Sequence, residues 1–196
     1  MLYIIVRSIL YLYLKVFYRF KVYGEEHLPL ESGVIVVSNH ANFIDPIIVG
    51  CSLQKRKVCF MAKEELFRIP VFGQIIRKLG AFPVKRGKGD RSAFRTAFQI
   101  LKEQKVLGMF PEGTRYKDGK IHTIRQGATL LAAESGAKVL PMIIRGTNNL
   151  KLFRFPKIKV YIGEAFSIEQ AESKKEMIVK GTAEIYSRLL YLWENA

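Results

Sequence analysis

VIVVSNHANFIDP, at residues 34–46, is the stretch that sets the expected fold. Val34 to Val37 is a run of β-branched residues, typical of a strand buried on both faces. Asp45 and Pro46 are favourable as the N-cap and first residue of a helix, so we expect an apolar helix from Asp45 to about Leu53. A strand that leads through a short turn into a helix is the repeating unit of α/β proteins.

The rest of the chain continues this alternation. We expect further strands at 58–62, 81–84, 106–110, 139–145 and 157–163, and further helices at 70–79, 90–104, 126–135 and 174–194. Asp90 is the expected N-cap of the second of these helices, and Pro141 is expected where the sheet needs no N–H donor. The pattern predicts a single α/β domain with a mostly parallel central sheet flanked by helices. Ligands of such sheets bind beyond the carboxyl ends of the strands.

The composition limits the class of protein. The chain has 196 residues, 49% hydrophobic and 25% charged, which suits one folded domain and excludes a disordered chain. Lys and Arg total 32 against 17 Asp and Glu, a formal charge of +15, which implies nucleic acid, an anionic membrane or a phosphorylated substrate as partner. Cys51 and Cys59 lie among apolar neighbours without metal-ligand spacing, so we expect reduced thiols, no disulfide, no metal and no cofactor.

The N-terminal 20 residues are apolar but are interrupted by basic residues, and no cleavage site follows. They do not form a clean membrane-spanning segment or a secretory signal. Arg7, Tyr11, Lys15 and Arg19 are four residues apart and line one stripe of a helix. This pattern predicts an amphipathic helix in the membrane interface, with the cations reaching lipid phosphates. The alternatives are a helix packed on the protein's own core and a shallow re-entrant insertion.

The first polar cluster at a strand end contains Asn39, His40 and Asp45. A histidine is a good general base near neutral pH when a carboxylate fixes its tautomer and stabilises its imidazolium. Five residues of helix would leave His40 and Asp45 about 140° apart, so they meet only if His40 lies in the turn and Asp45 begins the helix. The alternative is that Asp45 only caps the helix.

Two more polar clusters follow strands. Lys85 and Arg86 precede a glycine and suit a phosphate contact, although a solvated basic loop is the alternative. Glu112, Gly113, Thr114 and Arg115 follow the expected strand 106–110. Gly113 allows backbone amides to turn toward an anion, and the next two residues can donate to it. The alternative is a polar turn with a local Glu112–Arg115 ion pair.

Together these blocks resemble the glycerolipid acyltransferases typified by 1-acyl-glycerol-3-phosphate acyltransferase. That family has an NHxxxxD block, a Gly-x-Phe-x-x-x-Arg block, a Phe-Pro-Glu-Gly-Thr-Arg block and a hydrophobic block around a proline. Here the blocks stand in the same order at 39–45, 80–86, 110–115 and 139–144. Two differences are local: residues 41–44 lack the serine found in many relatives, and the N-terminal segment is shorter than in relatives with two membrane helices.

The resemblance implies that His40 takes a proton from the free hydroxyl of a lysophospholipid such as lysophosphatidic acid, while Asp45 orients His40. The hydroxyl attacks the thioester of acyl-CoA or an acyl carrier protein. The implied glycerol-phosphate site consists of Arg86, Glu112, Gly113, Thr114 and Arg115, with Asn39 and Pro141 as supporting residues. Arg125 matches a position often basic in relatives, but a surface residue at a helix start is an equal alternative.

The implied organisation is a membrane-associating helix at 1–21 and a catalytic domain at 22–196, on the cytoplasmic face of the cell membrane and against an anionic membrane surface. The product that the resemblance implies is phosphatidic acid for phospholipid biosynthesis. The alternatives are another acceptor (glycerol-3-phosphate, another lysophospholipid or an acylated amino acid) and a non-catalytic membrane- or nucleic-acid-binding protein. No nucleic-acid-binding motif is present, so nucleic acid is not an expected partner.

Overall fold

The computed structural model describes residues 1–85, 90–118, 120–148, 150 and 155–196. The helices are α1 (Leu2–Tyr18), α2 (Asp45–Ser52), α3 (Phe72–Lys78), α4 (Arg91–Lys102), α5 (Gly127–Ser135) and α6 (Lys174–Glu194). The strands are β1 (Lys21–Tyr23), β2 (Val34–Ser38), β3 (Val58–Lys63), β4 (Ala81–Val84), β5 (Val106–Met109), β6 (Lys138–Arg145) and β7 (Lys159–Ile162). Short 3-10 turns lie at Glu25–His27 and Glu64–Arg68.

The strands form one seven-stranded sheet in the order β1-β7-β6-β2-β5-β3-β4. The β6–β7 pair is antiparallel and the other pairs are parallel. The expected α/β fold with a mostly parallel sheet flanked by helices is therefore confirmed. β1 was not predicted, because it has only three residues and exists by pairing with β7, far away in the sequence.

Alternate side chains of the central strand β2 build the two halves of the core. Val34 and Val36 face the side covered by α1 and α2. Ile35 and Val37 face the side covered by α4, α5 and α6. All five residues of β2 are buried, as expected for a parallel strand covered by helices on both faces.

α1 packs on the protein through part of the stripe that the sequence assigned to lipid phosphates: Arg7 and Tyr11 are half-buried, while Lys15 and Arg19 are exposed. Leu14 is buried, and Tyr11 packs beside it against the core. Arg7 donates from Nη1 to the carbonyl of Leu53 at 3.3 Å, and its guanidinium lies 5.5 Å from the Tyr3 ring centre. The prediction that Arg7 reaches lipid headgroups is therefore wrong, because the carbonyl following α2 and an aromatic ring hold it against the protein.

The opposite side of α1 is an apolar ridge formed by Ile5, Ile9, Leu12 and Val16. These four side chains are 52–64% exposed. Their spacing places them along one line of the helix. Within the described residues, no helix is both long enough and apolar enough to cross a membrane.

Three local expectations have different outcomes. Asp90 caps α4, accepting from the backbone N–H groups of Ser92 and Ala93, as predicted. Asp45 is not an N-cap: α2 begins at Asp45 with Ile44 in the cap position and no side-chain cap bond. The helix expected at 70–79 is the shorter α3, preceded by a 3-10 turn.

Candidate active site

The carboxyl ends of three adjacent parallel strands build one site. β2, β5 and β6 are neighbours, so the residues that follow or end them meet at the same edge of the sheet. His40 follows β2, Glu112 follows β5, and Arg145 ends β6. The site therefore combines residues that are far apart in the sequence.

Asp45 holds His40 in one orientation. Its Oδ2 lies 2.9 Å from Nδ1 of His40 and accepts from the backbone N–H groups of Ala41 and Asn42, both at 2.7 Å. The side chain of Asp45 is fully buried and that of His40 is 12% exposed. One oxygen thus orients His40 and fixes the turn before α2, and the helix-capping role weighed from the sequence is wrong. With Nδ1 committed to Asp45, Nε2 is left to act on a ligand.

The imidazole ring of His40 stacks on Phe110, with ring centres 4.1 Å apart and an interplanar angle of 17°. Nε2 of His40 makes no hydrogen bond to any described residue. The ring is therefore held by the Asp45 carboxylate at its edge and by the Phe110 ring on one face. Such a ring presents its free nitrogen in a defined direction.

Glu112 is a second buried carboxylate, and it fixes the backbone around His40. Oε2 accepts from the N–H of His40 and Oε1 accepts from the N–H of His122, both at 3.0 Å. Burial raises the pKa of Glu112, although these backbone N–H bonds lower it. Glu112 has no ion pair with Arg115, so the local pair offered as an alternative does not form in the described structure.

The loop that follows Glu112 carries the expected anion-binding residues. Gly113 has a φ of +73°, and a Cβ at this position would lie 2.6 Å from Nε of Arg125. The positive φ favours glycine here, and any side chain would also displace the guanidinium of Arg125 from the backbone. Thr114 and Arg115 are exposed in the same loop. Arg125 is also exposed, and its N–H donates to the carbonyl of Pro111 at 2.8 Å.

Only Lys85 of the second basic block belongs to the described residues. Arg86 falls outside the described residues, and Lys85 directly precedes it. β4, which leads to this block, is three strands from β2 in the sheet, or about 14 Å at the usual strand spacing.

Asn39 joins the site to β6, the strand that contains Pro141. The Asn39 side chain accepts from the N–H of Ile144 at 2.8 Å and donates to its carbonyl at 3.0 Å. Pro141 is in register with Val37, and its carbonyl accepts from Gly163 just after β7 ends. Its missing N–H therefore lies beyond the regular β6–β7 ladder, as expected for a proline inside a sheet.

A cavity of about 260 Å³ opens beside His40. Its wall includes Tyr116, Lys120, Arg145 and Trp193. The two thiols lie elsewhere: Cys51 and Cys59 are buried, and burial raises the pKa of Cys51 to about 12. A reactive thiolate is therefore disfavoured, and the arrangement favours a general base acting directly on a bound substrate.

Comparisons with known proteins show the family of the chain. A family model described as Acyltransferase matches residues 19–145. The chain belongs to the acyltransferase family. A 1-acyl-sn-glycerol-3-phosphate acyltransferase of Bacillus subtilis is 34% identical over 145 residues, covering 74% of this chain and 72% of the relative. A chloroplastic enzyme of the same name from Arabidopsis thaliana is 34% identical, covering 68% of this chain but 38% of its own length.

The fold comparison agrees with the sequence comparison. The crystal structure of the 1-acyl-sn-glycerophosphate acyltransferase of Thermotoga maritima superposes with a TM-score of 0.69 at 26% identity. The superposition covers 95% of this chain and 80% of the Thermotoga chain. The fold of nearly the whole of this acyltransferase thus follows that of the solved relative.

Sequence reasoning missed part of the cavity wall of this acyltransferase. Arg145 ends β6 at the same edge of the sheet as His40. The rule that ligands bind beyond the carboxyl ends of strands, applied to the expected strand 139–145, could have identified it. Trp193 reaches the cavity from the end of α6, which no short-range pattern reveals. Tyr116 and Lys120 lie in the loop between β5 and α5, where the sequence gives no periodicity to interpret.

Proposed function

We propose that this chain transfers a fatty acyl group from a thioester donor to the free hydroxyl of 1-acyl-glycerol-3-phosphate, giving phosphatidic acid for phospholipid biosynthesis. The observation that carries the proposal is the His40–Asp45 pair, with Nδ1 held at 2.9 Å from a buried carboxylate and Nε2 free at a cavity. The names of the Bacillus and Arabidopsis relatives support the choice of acceptor.

In the proposed mechanism, Nε2 of His40 takes the proton from the acceptor hydroxyl as its oxygen attacks the thioester carbonyl. Asp45 stabilises the imidazolium that forms. The tetrahedral intermediate then breaks its C–S bond, and the imidazolium returns the proton to the departing thiolate. The acceptor gains the acyl ester, the donor leaves as a free thiol, and no acyl-enzyme forms.

The glycerol-phosphate site is proposed to consist of the loop from Glu112 to Arg115 together with Arg125. Its cations are exposed, and Glu112 ties its first turn directly to the His40 backbone. In this site, Arg115 and Arg125 bind the phosphate, Gly113 and Thr114 donate to it, and Glu112 positions the loop. Arg86 is retained as a further proposed phosphate contact on the strength of the family resemblance alone.

The same proposal places the enzyme on an anionic membrane surface at the cytoplasmic face of the cell membrane. The apolar ridge of α1 supports a peripheral contact, because four aligned aliphatic side chains are half or more exposed. Deleting α1 would also uncover the core around Leu14, so a point variant is the cleaner test. Ile9→Asp with Leu12→Asp is expected to reduce liposome flotation strongly, while Val179→Asp on α6 is the exposed control. Equal flotation of all forms contradicts the ridge as an anchor.

The activity test mixes the full chain with lysophosphatidic acid and acyl-CoA or acyl carrier protein and measures phosphatidic acid. His40→Ala is expected to lower kcat by about 10²–10⁴, the usual contribution of a general base, with little change in acceptor KM. His27→Ala is the control, since His27 lies outside the cavity wall. Unchanged activity in His40→Ala ends the mechanism, and a matrix of donors and acceptors tests the choice of acceptor.

A further inference from the structure

Three cations stand in cross-strand register at the edge of the sheet. Arg145 of β6 pairs with Lys159 of β7, and Lys159 pairs with Lys21 of β1. The three side chains share the sheet face that α6 covers, because Ile144, Val160 and Val22, their neighbours in sequence, pack on the opposite face. We call Arg145, Lys159 and Lys21 the basic row.

Two more cations flank the basic row. Arg19 and Lys157 line the same surface depression as Lys21 and Lys159. None of the four cations that line this depression forms an ion pair with an acidic residue in the described structure. Like charges directly opposite each other in a sheet are destabilising, so the arrangement costs the fold stability. An anionic partner would relieve this repulsion.

The inner end of the basic row is part of the candidate active site. Arg145 lines the cavity that also contains His40. The guanidinium of Arg145 lies 4.1 Å from the ring centre of Trp193 and donates to the Trp193 carbonyl. The cations therefore lead from the wall of the catalytic cavity to the outer strand of the sheet.

The direction of the row separates it from the surface proposed to contact the membrane. α1 packs on the face of the sheet formed by Val22 and Val160, and its apolar ridge points away from that face. Lys21 and Lys159 point to the other face. A bilayer that covers the ridge is therefore not positioned to bind the basic row.

We propose that the basic row is the docking surface for an acidic acyl carrier protein, the donor that presents its thioester on a phosphopantetheine arm. The inference rests on the proposed acyltransferase function and assigns its donor. The carrier binds over Lys21 and Lys159, and its arm passes Arg145 to bring the thioester to His40. A carrier protein fits better than a nucleotide, because four of the five described residues that line the depression are cations and the fifth is Tyr23, whose ring stacks on Tyr161 at 5.0 Å. The described lining therefore favours a broad acidic surface over an enclosed base.

The test compares acyl carrier protein and acyl-CoA bearing the same acyl chain, at low and high salt. The double variant Lys21→Glu, Lys159→Glu replaces one pair of like charges with another, so the sheet carries no new type of cross-strand conflict. Lys138→Glu, at the opposite end of β6, is the matched control. We expect the KM for the carrier-bound donor to rise about tenfold or more in the double variant and to lose its salt dependence. The KM for acyl-CoA is expected to stay within about twofold of wild type, as in the control variant.

The other outcomes overturn the inference in distinguishable ways. A rise in KM for acyl-CoA alone shows a nucleotide site, an equal rise for both donors shows a contact with the phosphopantetheine phosphate that they share, and no rise for either shows a solvated patch. Loss of vesicle flotation with both KM values unchanged shows a membrane contact. Wild-type activity with acyl-CoA but not with the carrier also rejects the docking surface. Activity with neither donor rejects the proposed function itself. If the double variant unfolds, Lys21→Glu alone, which faces Lys159 with the opposite charge, gives the same comparison.

Discussion

Replacing Asp45 with asparagine separates the charge of this residue from its role in the turn. Oδ2 of Asp45 accepts three hydrogen bonds, two of them from the N–H groups of Ala41 and Asn42. The amide oxygen of asparagine can take this position and keep all three bonds. Its NH₂ then occupies the place of Oδ1, a buried atom with no partner among the described residues. The turn is therefore expected to survive in Asp45→Asn.

The loss falls on the charged imidazolium. At 2.9 Å, a carboxylate and an imidazolium attract each other by about 5–6 kcal/mol at an effective dielectric constant of about 20. The amide dipole retains part of this attraction, which leaves a loss of roughly 3–5 kcal/mol in the transition state, or about 10²–10⁴ in kcat. The burial of both side chains keeps this interaction from being screened by solvent.

The assay measures kcat at saturating lysophosphatidic acid and donor, with the thermal unfolding midpoint recorded for the same samples. Asp45→Ala is the informative contrast. It leaves the N–H groups of Ala41 and Asn42 without an acceptor and is expected to cost about 2–6 kcal/mol of stability. An asparagine variant with the wild-type midpoint and kcat within about threefold of wild type refutes the role of the charge.

Three further predictions concern the surroundings of this pair. Because burial raises the pKa of Glu112, the unfolded chain releases this proton at lower pH than the folded chain, and the contribution of Glu112 to stability falls as pH rises from about 4.3 through its folded pKa. The unfolding free energy of Glu112→Gln, relative to wild type, therefore shifts in the variant's favour over that range. The opposite trend in urea unfolding means that the bonds from the N–H groups of His40 and His122 affect the pKa of Glu112 more than burial does. Arg115→Ala is expected to raise the KM for lysophosphatidic acid about tenfold by removing a charge-assisted bond, with Lys117→Ala as the neighbouring control. Unchanged acceptor kinetics reject the phosphate assignment. Asn39→Ala strands the N–H and carbonyl of Ile144 and is expected to lower the unfolding free energy by about 2–5 kcal/mol. A loss below about 1 kcal/mol in urea unfolding contradicts this account.

Much of the fold follows from local patterns. The run Val34–Val37 indicates a strand buried on both faces, and β2 is in fact fully buried at the centre of the sheet. Asp90 marks the start of α4 because an N-cap acts on residues two and three positions away. β1 has no such local signal, since three residues form a strand only where β7 provides the partner.

The orientation of α1 shows the limit of a helical pattern. Spacing by four correctly aligns Arg7, Tyr11 and Lys15 on one stripe, but the pattern does not state which stripe meets the protein. Arg7 faces inward because the carbonyl of Leu53 accepts its guanidinium, a contact between residues 46 positions apart. The apolar side is left outside, which still suits an interfacial helix although its cations are arranged differently from the prediction.

The candidate site, like the fold, could be predicted only in part from the sequence. Strand ends identify His40 and Glu112, because the carboxyl ends of parallel strands converge whatever the details of packing. They do not show that Oδ2 of Asp45 serves the turn and the imidazole together, nor that Trp193 closes the cavity from the far end of the chain. These contacts depend on three-dimensional packing, which the spacing of residues does not specify.

Two buried carboxylates, Asp45 and Glu112, fix different parts of His40. Asp45 holds the imidazole of His40, while Glu112 holds the backbone N–H of the same residue. The second oxygen of Glu112 holds the N–H of His122, near the end of the loop that contains Arg115. Glu112, the acid of the Phe-Pro-Glu-Gly-Thr-Arg block, thus has a structural role. This role accounts for a negative charge in a loop that is proposed to bind an anion. Glu112 fixes the offset between His40, the proposed general base, and the cations proposed to bind phosphate, and in this proposal the offset matches the distance from phosphate to hydroxyl in the acceptor.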